Sequence, residues 1–175
     1  MRTKLVGFTL FFIILTPLFI SLFLHNFGNN RFDIPIYHEK YIPDEFSFCS
    51  IKITSPYLVA SDSILKIGNN LIIMDVRLYD AKDVFINNQI QRLLNNNFLL
   101  NIYTISSYKL DLKWDSFNFK ISDLNNYVAC KFLYEINFSS LILIDKFGSI
   151  RGYYNSNSED EFERLSAEIK ILNKI

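Results

Sequence analysis

Few side chains in this sequence could take part in metal or thiol chemistry. The 175 residues include two cysteines, two histidines and one internal methionine. Copper(I) requires thiolate or thioether ligands, with imidazole as a supplement. Thiol redox chemistry requires a thiolate at a helix start with a second cysteine close by. The candidate groups are therefore Cys49, Cys130, Met74, His25 and His38.

The two cysteines form neither a redox pair nor a zinc pattern, because they are far apart in the sequence. Cys49 falls on a predicted hairpin, and Cys130 follows a predicted helix. One structural disulfide in an oxidising compartment is conceivable, but no sequence feature places the two within bridging distance. We predict two separate, small apolar residues. Met74 lies mid-strand and is expected in the core, and both histidines are expected to be solvated loop residues.

Three aspartates, Asp75, Asp80 and Asp83, form a small carboxylate cluster. A site for a hard metal is one interpretation. Capping and solvation of a helix start explain the cluster more simply, with Asp80 or Asp83 as the cap. Arg77 is expected to pair with one of the three. No glycine-rich phosphate loop and no Ser/His/Asp set is present. We predict no catalytic, cofactor or metal site, with Cys49 and Cys130 as weak alternative metal ligands.

These aspartates fall where a predicted strand runs into a predicted helix. Leu71 to Leu78 has a continuous apolar run followed by Asp75 and Arg77, which is typical of a central parallel strand buried on both faces for most of its length. The next helix has an inward stripe, and a second strand at 98–106 completes a predicted βαβ unit. The inward stripe is Ile86, Ile90, Leu93, Leu94 and Asn97.

The remaining elements complete a predicted α/β domain. Alternating Phe46 and Phe48, then Ile51 and Ile53, suggest an initial hairpin. The order predicts a thioredoxin-like fold with an N-terminal β-hairpin extension. The later elements are a strand at 117–121, a helix at 123–130, a strand at 141–144, a turn at 145–148, a strand at 150–154 and a helix opened by a Ser158–Glu161 capping box.

Several side chains of the 145–154 hairpin have simple expected roles. Lys146 and Arg151 are expected to be ordinary solvated charges. Tyr153 and Tyr154 are expected to form an exposed pair, which belongs either to an interface or to a half-buried strand.

The N-terminus resembles a membrane anchor. Residues 1–4 are a basic start, 5–24 lack charge, and 25–32 form a polar linker before a domain at 33–175. Twenty helical residues reach about 30 Å, which is one hydrocarbon core. Without a small-residue cleavage site, the segment is predicted to remain as a single transmembrane helix. Arg2 and Lys4 place the N-terminus in the cytoplasm and the domain on the periplasmic side of the inner membrane. Lys plus Arg number 18, as do Asp plus Glu, so no nucleic-acid partner is expected.

The C-terminal hairpin resembles that of the Sco/SenC family. The matching residues are 141–154, Leu-Ile-Leu-Ile-Asp-Lys-Phe-Gly-Ser-Ile-Arg-Gly-Tyr-Tyr, followed by an acidic-capped helix. Ile34-Pro35-Ile36-Tyr37 and Ile42-Pro43-Asp44 before Phe46-Ser47-Phe48 are similar to the family's entry into its first hairpin. The resemblance implies a membrane-anchored thioredoxin-fold protein that helps to deliver copper to cytochrome c oxidase.

The family's copper ligands are missing from the matching positions. Its Cys-x-x-x-Cys motif would follow the strand that ends at Leu78, but Tyr79 to Phe85 contains no cysteine. Its histidine would precede the strand at 141–144, but no histidine follows His38. We therefore expect a degenerate member that is not an enzyme, holds no copper and acts through binding respiratory oxidase assembly proteins. The alternatives are a residual thiol-redox or copper carrier using Cys49 and Cys130 in a relocated site, and a decaying copy without a role.

Overall fold

The computed structural model describes residues 13, 15–23, 33–49, 54–78, 82–96 and 99–174. The chain divides into two compact units, Met1–Asp33 and Ile34–Ile175. In the first unit, residues 13 and 15–23 are helical. No helix among the described residues is long and apolar enough to cross a membrane. Residues 5–12, 14 and 24 of the predicted anchor, and the predicted linker at 25–32 with His25, lie outside the described residues.

The second unit is built on one mixed sheet of five strands in the order β3-β2-β1-β4-β5. β1 and β2 are parallel, as are β2 and β3, whereas β4 is antiparallel to both β1 and β5. The strands are β1 at Leu71–Arg77, β2 at Leu100–Ser106, β3 at Asp115–Asn118, β4 at Ser140–Ile144 and β5 at Ile150–Asn155.

Three helices cover the two faces of this sheet. They are α1 at Asp83–Asn95, α2 at Ile121–Phe132 and α3 at Glu159–Leu172. The described elements thus confirm the predicted βαβ unit, the later hairpin and the terminal helix, which together fit a mixed, thioredoxin-like α/β sheet. β3 begins two residues earlier than predicted, and Ile121 opens α2 instead of ending that strand.

β1 is the centre of the fold, as its apolar run predicted, and all seven of its residues are buried. Side chains alternate between the faces of a strand. Leu71 and Ile73 pack on one face with residues of α1 and α3, which we call the α1/α3 face. Ile72, Met74 and Val76 pack on the other with residues of α2, which we call the α2 face.

Chain 33–70 precedes the sheet and does not begin as the expected hairpin. A short 3-10 helix at Asp44–Phe46 occupies the first half of that prediction, and Ile51 and Ile53 of the second half lie outside the described residues. The aromatic alternation has a different cause. Phe46 is buried against the α2 face, whereas Phe48 is exposed. A chain segment that lies on a core can alternate in this way without forming a strand.

The β4–β5 turn follows the prediction closely. The Gly148 N–H donates to the Asp145 carbonyl at 3.0 Å, and Asp145 Oδ1 accepts from the backbone N–H groups of Phe147 and Ser149. Helix α3 also starts where predicted, with Ser158 at the N-cap position. The predicted capping box is wrong. The Ser158 side chain makes no capping hydrogen bond, and the Glu161 carboxylate instead accepts a hydrogen bond from Arg164.

Candidate functional site: a closed ion network at the end of the central strand

The junction between β1 and α1 is organised by one buried guanidinium, that of Arg77. Its Nε–H donates to Asp75 Oδ2 at 2.8 Å. Nη1 donates to Asp83 Oδ1 at 3.1 Å, and Nη2 donates to Asn87 Oδ1 at 2.8 Å. The side chains of Arg77 and Asp75 are both 0% exposed, and that of Asp83 is 35% exposed. The guanidinium therefore joins the central strand to the first two turns of the helix.

Local geometry accounts for this arrangement. Asp75 and Arg77 are two residues apart on a strand, so both point to the α1/α3 face. Asp83 and Asn87 are four residues apart on α1, so both lie on one side of the helix. The planar guanidinium of an arginine can donate to the side chains of the strand and of the helix at the same time, whereas the single ammonium group of a lysine cannot. The predicted pairing of Arg77 with one of the aspartates is confirmed, and it extends to two of them.

Three further side chains surround the network. The Thr104 hydroxyl donates to Asp75 Oδ2 at 2.9 Å, and the Trp114 Nε1–H donates to the Thr104 hydroxyl oxygen at 2.8 Å. The Tyr108 hydroxyl donates to Asp83 Oδ1 at 2.6 Å. Thr104 is the partner of Asp75 in the parallel ladder of β1 and β2. The one sequence feature that could have suggested Thr104 is its place in a strand predicted to neighbour β1.

Burial dominates the electrostatics of these groups. Desolvation raises the pKa of Asp75, and the adjacent charge of Arg77 opposes that rise. Desolvation, followed by the hydrogen bond to Asp83, raises the pKa of Tyr108. One oxygen of Asp75, Oδ1, is buried and accepts no hydrogen bond from the part of the chain that the structure describes. Asp75 and Asp83, the two aspartates of the cluster that the structure describes, both pair with a single guanidinium.

The hard-metal interpretation of the aspartate cluster gains no support from this geometry. Asp75 and Asp83 are bridged by Arg77, and Asp80 lies outside the described residues. Within the described part of the chain, no group of three or more His, Cys, Asp or Glu side chains is placed to hold a metal ion. The capping interpretation also needs correction. The N-cap position of α1 is Lys82, without a side-chain capping bond, and Asp83 is the first helical residue.

The two cysteines correct the sequence prediction most directly. Cys49 and Cys130 form a disulfide, with their Cα atoms 5.4 Å apart. The prediction of two separate residues is therefore wrong. The bond joins positions 81 residues apart, so their proximity depends on how chain 33–70 lies across α2. No local pattern could have revealed it.

The disulfide belongs to a set of contacts that hold chain 33–70, which we call the early segment, to α2. The Tyr57 hydroxyl donates to the Lys131 carbonyl at 2.8 Å. Asp62 Oδ2 accepts from the Tyr127 hydroxyl at 3.0 Å and lies 2.8 Å from Lys131 Nζ. Cys49 is 9% exposed and packs in the core of the α2 face. The disulfide and the Arg77 network therefore lie on opposite faces of the sheet.

The donor set of the described residues does not fit a copper site. Both thiols are consumed by the disulfide. Met74 is 0% exposed in the core, as predicted. His38 is half-buried instead of solvated, with Nε2 3.1 Å from the Tyr153 hydroxyl oxygen. Because the Tyr153 hydroxyl donates to the Phe132 carbonyl at 2.6 Å, the histidine must donate to Tyr153. Desolvation lowers the pKa of His38.

Two expectations about the hairpin are also corrected. Arg151 is not an ordinary solvated charge, because its side chain is 13% exposed and Nη2 donates to the Ile34 carbonyl at 2.9 Å. Tyr154 is 1% exposed, and its hydroxyl donates to Glu168 at 2.6 Å. The tyrosine pair is therefore not an exposed patch. Lys146 is exposed as predicted and lies over the Phe147 ring.

No protein-family model matches the chain, and no curated protein matches it. Similar solved structures include BsSco, a member of the Sco family of cytochrome c oxidase assembly proteins. It is 13% identical over 62% of this chain and 83% of that chain, with a TM-score of 0.48. A SCO1/SenC family lipoprotein from Bacillus anthracis is 12% identical, with coverages of 61% and 83% and a TM-score of 0.47. The thioredoxin domain of a thiol-disulfide oxidoreductase from Bacteroides vulgatus is 14% identical, with coverages of 59% and 81% and a TM-score of 0.42.

Proposed function

We propose that this chain is a non-catalytic, Sco-like assembly factor. It is tethered by its N-terminal segment to the inner membrane, with its domain on the periplasmic side. It acts by binding a protein partner in the biogenesis of respiratory cytochrome c oxidase. The link to the oxidase rests on the residue pattern from Leu141 to Tyr154 and on the Ile42-Pro43-Asp44 entry, which resemble the Sco/SenC family.

One observation carries the non-catalytic part of this proposal. Arg77 closes the strand-to-helix junction by bonding Asp75, Asp83 and Asn87. The two cysteines of the sequence are bonded to each other on the opposite face of the sheet. A reactive thiol at the junction would need a cysteine there, and an arginine clamped by two carboxylates offers no nucleophile. Binding through the surface is the function that these residues leave available.

The disulfide also supports the proposed location. Disulfides persist in oxidising compartments such as the periplasm and are rare in the bacterial cytoplasm. The basic N-terminus followed by an uncharged segment gives the same orientation, since positive flanks remain in the cytoplasm. Alkylation of free thiols in intact cells, followed by non-reducing electrophoresis, tests this point. We expect Cys49 and Cys130 to be protected until a reductant is added.

Complementation of a deletion strain tests the role in assembly. We expect the deletion to lower cytochrome c oxidase activity in membranes, and the wild-type gene to restore it. A Cys49→Ser/Cys130→Ser variant should also restore the activity when it reaches the same level in the membrane by immunoblot. An unchanged oxidase in the deletion strain would contradict the proposal and favour a decaying copy.

Copper(I) titration provides a second, independent test. The oxidised wild-type protein should not bind Cu(I) in stoichiometric amounts against a competing chelator under anaerobic conditions. Stoichiometric binding that disappears in Cys130→Ser would overturn the proposal and favour the copper-carrier alternative.

A thiol-redox carrier is the second candidate, and the Cys49–Cys130 bond is the observation that favours it. The two functions differ in the reduction potential of this disulfide. Structural disulfides have potentials below about −300 mV, whereas catalytic ones are more oxidising. Because Cys49 is buried and the early segment is also held by Tyr57 and Asp62, we expect the structural range. Equilibration with dithiothreitol buffers measures the value, and a potential near −200 mV would favour the carrier.

A further inference from the structure

A small cleft lies at the end of the sheet opposite the Arg77 network. It has a volume of about 220 Å³ and is bounded by the start of β1, the β4–β5 turn and the end of α3. Binding sites for drug-sized molecules usually measure roughly 300–1,000 Å³, so this cleft suits a smaller ligand. Its apolar walls are formed by Ile36, Leu71, Phe147 and Leu172.

The cleft also contains one incompletely paired cation, Arg151. Its Nη2 donates to the Ile34 carbonyl at 2.9 Å. Nη1 lies 3.5 Å from Asp145 Oδ2, a distance at the outer limit for a hydrogen bond. Nε is buried and has no hydrogen-bond partner among the described residues. A guanidinium carries five N–H donors, so the described residues leave much of the donor capacity of Arg151 unused.

The carboxylate of Asp145, which lies beside Arg151, is restrained by the turn. Asp145 Oδ1 accepts the backbone N–H groups of Phe147 and Ser149, both at 2.9 Å. These two bonds fix the carboxylate within the turn, so it cannot move closer to Arg151 without breaking them. The exposed Lys146 adds a second positive charge beside the cleft. Among the residues that line the cleft, Arg151 and Lys146 outnumber Asp145, so the lining carries one net positive charge.

We propose that the cleft binds a small carboxylate with an apolar body. The carboxylate pairs with the guanidinium of Arg151, because the planar fork of arginine matches a carboxylate well. The apolar body packs between Leu71, Leu172 and Phe147. A doubly charged, strongly hydrated anion such as phosphate would not use these apolar walls. A cation would be repelled by Arg151 and Lys146.

Fluorine NMR on the full-length protein in nanodiscs tests this proposal, with 3-(4-fluorophenyl)propionate as the probe and empty nanodiscs as the background. We expect saturable broadening or shift of the probe signal. The matching alcohol, 3-(4-fluorophenyl)propan-1-ol, should bind at least about tenfold more weakly, since it cannot form the charge-assisted bond. Equal binding of the two probes, or no saturable binding of the carboxylate, would overturn the proposal.

Three variants locate the site. Arg151→Gln should weaken binding of the carboxylate at least about tenfold, and Leu172→Trp should reduce it by filling the cleft while leaving Arg151 in place. Arg92→Gln is the matched control, because Arg92 is an exposed arginine on α1 that pairs with Glu163; its binding should equal that of the wild type. Far-UV circular dichroism confirms that each variant is folded. Wild-type affinity in a folded Leu172→Trp protein would exclude this cleft even if Arg151→Gln failed to fold.

Discussion

The Arg77 guanidinium donates to the carboxylate of Asp75, two residues earlier on the same strand, at 2.8 Å, and both side chains are completely buried. Ionised groups are costly to bury, and a pair is tolerated only when it is closely matched and further hydrogen-bonded. Asp83, Asn87 and Thr104 supply the additional bonds. The network thus fixes the start of α1 on the sheet through hydrogen bonds among described residues of β1, β2 and α1.

Removal of one partner should be far more damaging than removal of both. Arg77→Met leaves Asp75 buried without a counter-charge, and we expect a loss of about 3–5 kcal/mol in the free energy of unfolding. The Asp75→Leu/Arg77→Met double variant should recover most of this loss, because neither of the two fully buried charges remains. Urea unfolding followed by fluorescence of Trp114, the one tryptophan of the chain, measures both effects.

Arg92 provides the control for this pair. It is an exposed arginine on the same helix that the network engages, and Arg92→Met should change stability by less than about 0.5 kcal/mol. A double variant as unstable as Arg77→Met would show that packing, and not the unpaired charge, causes the loss.

Asp62 should make stability depend on pH. Partial burial alone would raise its pKa, but hydrogen bonds from Lys131, Tyr127 and the backbone N–H groups of Leu65 and Ile64 outweigh that effect and lower it. A carboxylate whose folded pKa is depressed stabilises the protein above its unfolded pKa, and this contribution is lost as the pH falls through the folded pKa. The wild type should therefore exceed Asp62→Asn in stability by a constant amount from pH 7 to about pH 5. Below that range the difference should shrink.

Unfolding curves at several pH values test the Asp62 prediction. Asp111→Asn, which removes an exposed carboxylate, serves as the control for the loss of one negative charge. A difference between wild type and Asp62→Asn that stays constant down to pH 3 would contradict the assignment.

Reduction of the Cys49–Cys130 disulfide should destabilise the domain. The bond closes a loop between residues 81 apart, and removal of such a constraint typically costs about 2–5 kcal/mol. Urea unfolding with and without a phosphine reductant measures the effect. The Cys49→Ala/Cys130→Ala variant should be as unstable as the reduced wild type and insensitive to the reductant. An unchanged midpoint on reduction would mean that the remaining contacts of Tyr57 and Asp62 suffice.

Gly148 should not tolerate a side chain. Its φ is +88°, and a Cβ atom would lie 2.8 Å from the Val59 carbonyl oxygen. The Val59 N–H also donates to the Gly148 carbonyl at 2.9 Å, so the two segments cannot separate freely. Gly148→Ala should cost about 1–3 kcal/mol. Gly68→Ala is the matched control, because nothing lies within 4 Å of its added Cβ, and it should change stability by less than about 1 kcal/mol in either direction. Thermal unfolding compares the two, and equal effects would refute the steric explanation.

The features that could be predicted from the sequence are those that depend on the pattern of neighbouring residues. The apolar run from Leu71 requires cover on both faces, which is typical of a central strand. The stripe of Ile86, Ile90 and Leu93 has helical spacing, and each of these residues is buried. The Asp145–Gly148 turn followed from residue types that suit its geometry. The alternation of Phe46 and Phe48 led to a wrong prediction of a hairpin strand. Burial of every second residue also occurs in an irregular segment that packs on a core.

Patterns among neighbouring residues were enough to predict the order of the elements from β1 onward, and they also showed that no cysteine pair stands at the β1–α1 junction. The packing of the folded chain sets which distant groups meet. It joined Cys49 to Cys130 and brought Thr104 and Trp114 to Asp75. It also placed Arg151 in an apolar cleft beside Leu172. These contacts depend on how distant segments of the chain pack on the two faces of the sheet. The spacing of residues along the sequence does not indicate this packing.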